Sequence, residues 1–296
     1  MHGFLNIHKP QGMTSFDVIR RLKPLLPRRH KIGHMGTLDP MATGVLPIAI
    51  GQASKLLYYI EDQSKEYATT MMLGAVSDTQ DIWGKVQATG STCFDMTDLK
   101  ELVARYSGVI QQLPPMFSAV HHQGQRLHEL ARQGITVDRE PREVLIESLE
   151  IIEIEPDLPY PRVRLAVACS RGTYVRTLCH DIGEALGTGA VMSELVRTRS
   201  GPFQLRQSVT LEEISQEENR LEAFLLPLDY PLQDLPRVEF SAALEQAFRH
   251  GQRIQWDSQI NPGHVRVYNQ NEQLLGMANA EEADSAWEIR PLRLIT

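Results

Sequence analysis

Apolar residues recur three or four positions apart over residues 14–26, at Phe16, Ile19, Leu22 and Leu26, which predicts an amphipathic helix. Thr14 or Ser15 can cap its start with a hydroxyl acceptor, and Pro27 stops it because proline has no N–H to donate. The same spacing predicts helices over residues 99–106, 173–186 and 211–224. The second of these carries Val175, Leu178, Cys179, Ile182 and Leu186 along one side. Short apolar or alternating runs bounded by charges or glycines predict strands over residues 67–73, 144–154 and 163–169.

These elements mix without a regular strand-helix-strand alternation, so the expected class is α+β. A mixed or antiparallel central sheet with flanking helices would carry a catalytic cleft. Residues 119–142 are polar and loop-like around a short helical centre at 126–132, as in an inserted flap. Pro227, Pro231 and Pro236 then punctuate the chain, and strand-like runs follow at 265–268 and 274–277. The expected organisation is a catalytic domain over 1–234 with the insertion at about 119–142, and a small β-rich module over 235–296. No internal repeat or low-complexity tract is present.

The chain has 296 residues, 42% of them hydrophobic and 23% charged, which suits a globular protein and excludes a disordered or fibrous one. No stretch approaches the roughly 18 apolar residues of a membrane span, and the N-terminus lacks an apolar leader core, so a cytoplasmic protein is expected. Cys93, Cys169 and Cys179 form no C-x-x-C pair, which points to buried free thiols rather than zinc ligands or disulfides. A net charge of −7 argues against a nucleic-acid partner, but the distribution reverses that impression. Residues 1–34 hold Lys9, Arg20, Arg21, Lys23, Arg28, Arg29 and Lys31 against Asp17 alone. Such a run is usually a solvated helix face and loop; here it leads directly into the segment with the most chemistry.

That segment, residues 31–44, packs Gly33, Gly36 and Gly44 with His34 and Asp39 into a stretch of no periodicity. Taken alone, Asp39 followed by Pro40 reads as a helix N-cap with proline at the first helical position. The surrounding pattern changes that reading. Gly33-His34-Met35-Gly36-Thr37-Leu38-Asp39-Pro40 is preceded by Lys9-Pro10-Gln11-Gly12-Met13-Thr14-Ser15 and followed by Gly44-Val45-Leu46-Pro47. Lys65-Glu66-Tyr67, Asp78-Thr79-Gln80-Asp81 and Gln112-Leu113-Pro114-Pro115 with Ser118-Ala119 come next. Gly172-Thr173-Tyr174-Val175-Arg176 and Leu195 with Arg197-Thr198-Arg199-Ser200-Gly201-Pro202-Phe203 complete the series. In this order, over about residues 3–205, the chain resembles the tRNA pseudouridine-55 synthase family.

The resemblance implies isomerisation of uridine 55 in the tRNA T-loop, with Asp39 as the catalytic carboxylate, no cofactor and no metal. The partner is then tRNA, without a membrane or protein partner, for a protein acting as a monomer. The reaction breaks the C1′–N1 bond, turns the uracil and joins C5 to C1′, without redox change or second substrate. One carboxylate can serve as nucleophile or as base, whereas glycosidases need two flanking carboxylates. A base inside a folded loop must be extruded, which needs a stacking surface and something to fill the gap. By resemblance Tyr67 stacks and His34 fills; a half-buried strand tyrosine and a loop histidine are the plainer alternatives. Tyr174 and Leu195 would complete the uracil pocket, and Lys9, Arg20 and Lys31 would contact phosphates. Arg176 is expected to reach Asp39 and hold it as the anion, which burial disfavours. The Asp78 and Asp81 pair lacks the other ligands of a calcium loop and is assigned a loop role.

Two positions depart from the family pattern. His121 and His128 stand where a lysine and a tyrosine of the inserted thumb are usual, and the segment after residue 235 resembles the family's PUA-like RNA-binding module only weakly. A non-catalytic tRNA-folding chaperone would use the same basic and stacking residues and would tolerate loss of Asp39. A hydrolytic nucleosidase would release free uracil.

Overall fold

The computed structural model describes residues 1–216, 221–283 and 286–295. The chain runs through β1 (Gly3–Lys9), α1 (Ser15–Leu22), β2 (Ile32–His34), β3 (Thr43–Ile50) and β4 (Lys65–Leu73). The β5–β6 hairpin (Ala75–Ser77, Val86–Ala88), α2 (Met96–Arg105) and β7 (Gly108–Gln112) follow. A small hairpin β8–β9 (His121–His122, Gln125–Arg126) and α3 (Leu127–Arg132) form the insertion. Then come β10 (Arg142–Glu155), β11 (Arg162–Cys169), α4 (Val175–Leu186), β12 (Ala190–Ser200), β13 (Phe203–Gln204) and α5 (Leu211–Gln216). The C-terminal part holds β14 (Arg237–Phe240), α6 (Ala242–Arg249), β15 (Ile254–Trp256), β16 (Gly263–Asn269), β17 (Leu274–Ala283) and β18 (Ala286–Leu294).

The central sheet is mixed and nine-stranded. Its path is β1-β3-β12-β4-β11-β10-β7, with β2 beside β3 and β13 beside β12. Every neighbouring pair is antiparallel except β3 and β12, which meet in parallel at only Val196↔Thr43 and Arg197↔Gly44. One register row therefore crosses five strands: Lys9, Gly44, Arg197, Tyr67 and Val167. Partners directly opposite each other put their side chains on one face, so this row is a shared floor. Gly44 is the gap in it. It has φ +104, and a Cβ there would lie 2.2 Å from the Arg197 carbonyl oxygen, so only glycine lets β3 and β12 approach.

Helices α1 and α4 pack on this sheet. Thr14 caps α1 through a capping box with Asp17, and Ser15, Val18, Ile19 and Leu22 are buried. The apolar stripe is centred on those four residues, which leaves Phe16 at its margin and 60% exposed, contrary to the sequence expectation. Pro24 withholds its N–H, so the helix tightens into a 3-10 turn at Lys23–Leu25 before Pro27. Of the helix expected over 211–224, the structure has α5 and a 3-10 turn at Leu221–Phe224; residues 217–220 lie outside the described residues. Cys169 and Cys179 are buried and Cys93 is exposed, which corrects the expectation of three buried thiols.

The C-terminal strands form a separate five-stranded sheet, β14-β16-β17-β18-β15, around Val238, Phe240, Phe248, Val265 and Val267. A second apolar cluster ties this sheet to the central one, with Phe4, Val45 and Ala49 packed in the same group as Met277 and Ile295. At a few tens of cal/mol per Å² of apolar area removed from water, such a seam fixes the two sheets against each other.

Candidate active site

Asp39 lies on the loop between β2 and β3, where the chain turns at Pro40 and Met41 and enters a strand rather than a helix. The N-cap reading of Asp39-Pro40 therefore does not apply. Three buried side chains hold this loop by its backbone. Ser15 Oγ donates to the Leu38 carbonyl at 3.1 Å and accepts from the Leu38 N–H at 2.9 Å. Lys9 Nζ donates to the carbonyls of Pro10 at 2.9 Å, Met13 at 2.7 Å and Pro40 at 3.4 Å. Arg197 donates through Nε to Val45 at 2.6 Å, and through Nη1 and Nη2 to Thr37 and Gly36 at 3.3 Å each. The loop's carbonyls thus meet two buried cations, and Asp39 sits above a positive floor.

Lys9 was expected to contact phosphate. It is fully buried and its ammonium is committed to three carbonyls, so its place is under the loop instead. Burial, opposed by Asp39 and reinforced by Arg197, moves its pKa down to about 8. Lys65, whose Nζ donates to the Gln63 carbonyl at 2.8 Å, is likewise lowered to about 8 by burial and by Arg197. Arg20 and Lys31 are exposed, together with Arg21, Lys23, Arg28 and Arg29, so the basic segment forms a solvent-facing surface. Within it Arg20 pairs with Asp17 at 2.9 Å and lies over the Phe16 ring.

Arg176, on the first turn of α4, lies 3.4 Å from Asp39 Oδ2 across 137 positions of sequence, and 3.9 Å from Asp81 Oδ2. Its Nη2 donates to the Phe117 carbonyl at 2.6 Å, while Nε is buried without a partner among the described residues. The guanidinium is 5.8 Å from the Tyr174 ring, and Gln112 fixes Tyr174 by bonding both its N–H (2.7 Å) and its carbonyl (3.0 Å). The two carboxylates are not equivalent. Asp81 is 7% exposed and already accepts from Thr79 Oγ1 at 2.8 Å and the Trp83 N–H at 2.9 Å, whereas Asp39 is 30% exposed with Arg176 as its partner. Asp39 is therefore the more accessible carboxylate of the two. Asp78 accepts the Lys85 N–H at 2.8 Å, so both acids of this motif also brace their loop.

Tyr67 stands opposite Arg197 in the β4–β12 register, and Leu195 stands opposite Thr69, one step along the same face. Both are buried at the edge of the main core. Burial pushes the Tyr67 phenol up, so it stays protonated, with Arg197 and Asp39 among the charges it senses. His34 ends β2 opposite Ile48, its Nδ1 buried without a partner among the described residues, and burial followed by Arg197 lowers its pKa. The structure thus sets Arg176 between Asp39 and Tyr174, and Tyr67, with Leu195 on the same face, opposite Arg197, whose charge also acts on His34. In the insertion, the His128 ring is bonded to the Ser118 carbonyl at 2.9 Å and His121 is exposed. Arg197 and Gln112 received no role from the sequence. The signal for Arg197 was the period-two spacing from Leu195 along a strand, which puts both on the face that carries Tyr67.

Three family models match the chain in sequence. The N-terminal domain of TruB family pseudouridylate synthases covers residues 23–175, and the C-terminal domain of tRNA pseudouridylate synthase B covers 176–233. A TruB C-terminal pseudouridine synthase II model covers 236–295. The tRNA pseudouridine synthase B of Syntrophomonas wolfei is 47% identical over 99% of this chain and 98% of its own. That of Pseudomonas putida GB-1 is 42% identical over 99% and 95%. Among solved structures, a chain of an H/ACA ribonucleoprotein bound to a substrate RNA containing 2′-deoxyuridine superposes with a TM-score of 0.69 at 25% identity. That match covers 99% of this chain and 84% of the other.

Proposed function

The chain belongs to the TruB family of pseudouridylate synthases, and on that premise we propose that Asp39 carries the isomerisation of uridine 55 in the T-loop of tRNA. The protein is an isomerase that forms pseudouridine in tRNA. The observation that carries the residue assignment is the asymmetric pair of carboxylates on Arg176. Asp81 is buried, with two donors on Oδ1, whereas Asp39 is 30% exposed and has Arg176 on Oδ2.

The chemistry follows from that placement. The target nucleotide leaves the loop stack and enters the cleft, where the Tyr67 ring supplies a face for the uracil and Leu195 an apolar wall. Arg176 keeps the Asp39 carboxylate oriented as the entering base excludes water. The carboxylate then acts on the nucleotide, the C1′–N1 bond breaks, and the detached uracil turns within the pocket. C5 bonds to C1′ and gives up its hydrogen as N1 gains one, so the product is an isomer of the substrate. The buried cations beneath the loop cost nothing in reorganisation during these steps, because the fold has already fixed them.

The exposed cations of residues 20–31 would meet the phosphates of the T-stem, and His34 would occupy the space the uridine vacates. The C-terminal module over 235–296 would extend the same contact. A groove of about 620 Å³ lies where the module meets the central domain, lined by Glu61, Asp62, Glu147 and Arg171 and by His264 from that module, so Arg171 is the cation it offers against three acids. The predicted site of action is the cytoplasm, where tRNA resides.

The test is incubation with tRNA carrying C5-tritiated uridine. Isomerisation releases the label to water and keeps the base on the strand. Free uracil in place of tritiated water would establish a nucleosidase, and neither product with intact tRNA binding would establish a folding chaperone.

A further inference from the structure

The loop between β5 and β6 is braced beyond what a connection needs. Asp78 Oδ1 accepts the Lys85 N–H at 2.8 Å, and Asp81 Oδ1 accepts both Trp83 N–H and Thr79 Oγ1. The Ile82 N–H donates to the Met192 carbonyl at 3.1 Å, and the Met192 N–H to the Gln80 carbonyl at 3.0 Å, so the loop is sewn to β12. A Cβ on Gly84 would lie 2.3 Å from Asp78 Oδ1, Ser77 Oγ and Thr79 Oγ1, which shows how closely the turn is packed. From this rigid base the chain presents apolar side chains outward. Trp83 is 51% exposed, Val86 41% and Ile82 38%, and none of them joins any of the three apolar cores.

Exposing an indole is unfavourable, and holding it on a rigid loop removes the entropy cost that otherwise weakens an aromatic contact. The loop that carries the patch abuts the site, since its Asp81 lies 3.9 Å from Arg176, which lies 3.4 Å from Asp39, and its Gln80 side chain accepts from Thr177 Oγ1 at 2.7 Å. Lys85, two residues along the chain from Trp83, is also exposed and adds a cation to the same turn. An aromatic face with an adjacent cation matches an unpaired nucleobase and its phosphate. We propose that Trp83, with Lys85 beside it, is a stacking platform for an unpaired base of the substrate loop next to the extruded uridine. This rests on the functional reading above. The ring is a positioning group and takes no part in bond making, and its backbone N–H, which braces Asp81, survives side-chain substitution.

The experiment uses the full chain with unmodified tRNA and compares wild type, Trp83→Phe and Trp83→Ala. Trp83→Ala is expected to raise the Kd about tenfold, with the salt slope of binding unchanged because a stack releases no counterions. Trp83→Phe stays within about threefold of wild type, because a smaller ring still stacks. In turnover, Trp83→Ala raises KM by a similar factor and leaves kcat within about twofold. Tryptophan fluorescence gives a second readout. The chain has three tryptophans, and Trp256 and Trp287 are half-buried in the C-terminal module, so tRNA should quench wild type strongly and Trp83→Phe much less. Unchanged affinity of Trp83→Ala, or equal quenching of wild type and Trp83→Phe, overturns the inference and assigns the patch to another kind of partner. Wild type that releases no tritium overturns the functional reading, whereas wild type that releases it while Trp83→Ala binds normally overturns this inference alone.

Discussion

Replacing Arg197 by methionine removes three hydrogen bonds to carbonyls from a place water does not reach and keeps an apolar stem of similar length. Arg197 is fully buried, and its guanidinium is the partner of the Val45, Thr37 and Gly36 carbonyls. An acceptor left unsatisfied in the interior costs about 1–3 kcal/mol. The bonds to Thr37 and Gly36 are long at 3.3 Å, so those two belong at the low end, and the 2.6 Å bond to Val45 higher. Relief from burying a cation that has no carboxylate partner offsets part of the sum. A net loss of about 2–4 kcal/mol is expected in equilibrium urea unfolding. Arg197→Lys recovers a minority of it, since one ammonium cannot span three carbonyls. Electrostatics gives an independent readout. Arg197 lowers the pKa of His34, so its removal should move the His34 titration upward, as followed by imidazole NMR. Turnover should fall because the Gly36–Thr37 backbone, which leads into Asp39, is released. Destabilisation below about 1 kcal/mol together with an unmoved His34 titration would refute the assignment of Arg197 as the loop's anchor.

Asp39→Asn should abolish tritium release while tRNA affinity stays within about tenfold, because a group acting in chemistry need not add to ground-state binding; measurable residual turnover contradicts it. Arg176→Lys should lower kcat at least tenfold and raise Kd by much less, since an ammonium cannot hold Asp39, Asp81 and the Phe117 carbonyl in one plane. Equal effects on kcat and Kd would mean that Arg176 serves binding. Replacing Arg20 and Lys31 together by alanine should flatten the plot of log affinity against log salt, and an unchanged slope would move the phosphate contact elsewhere. His34 is lowered in the folded state relative to its ordinary 6.5, so the unfolded chain takes up the proton first as pH falls. Its contribution to stability is therefore complete above pH 6.5 and lost as pH drops below it. His34→Gln should make urea midpoints flatter between pH 6.5 and 5, and an identical profile would remove His34 from the account.

Much of this architecture is written in local patterns. The α1 cap at Thr14, the strands carrying Tyr67 and Cys169, and the start of α4 beside Arg176 follow from spacing and capping chemistry alone. The Asp39 to Arg176 contact was foreseen through resemblance, since nothing local links residues 137 positions apart. What stayed hidden were roles set by register. Lys9 looked like one more cation of a basic segment, yet strand pairing opposite Gly44 turns it inward while the other six cations of residues 1–34 face solvent. Asp81 looked like a loop acid because its link to Arg176 spans separate elements. Phe16 has helical spacing from Ile19, but periodicity locates the centre of an apolar stripe better than its margin.

The two-residue junction between β3 and β12 also dictates when the protein can work during its own synthesis. A ribosome delivers the Asp39 loop early, but Arg197, which holds it, is bonded to a carbonyl 152 residues earlier in the chain. Until β12 has cleared the exit tunnel and inserted between β3 and β4, the loop's carbonyls lack their donors and Arg176 has only just emerged to meet its carboxylates. A nascent or prematurely terminated chain that ends before β12 therefore carries the Asp39 loop without the strand that anchors it. Competence arrives in one step, when the last strand of the central path is threaded between its neighbours.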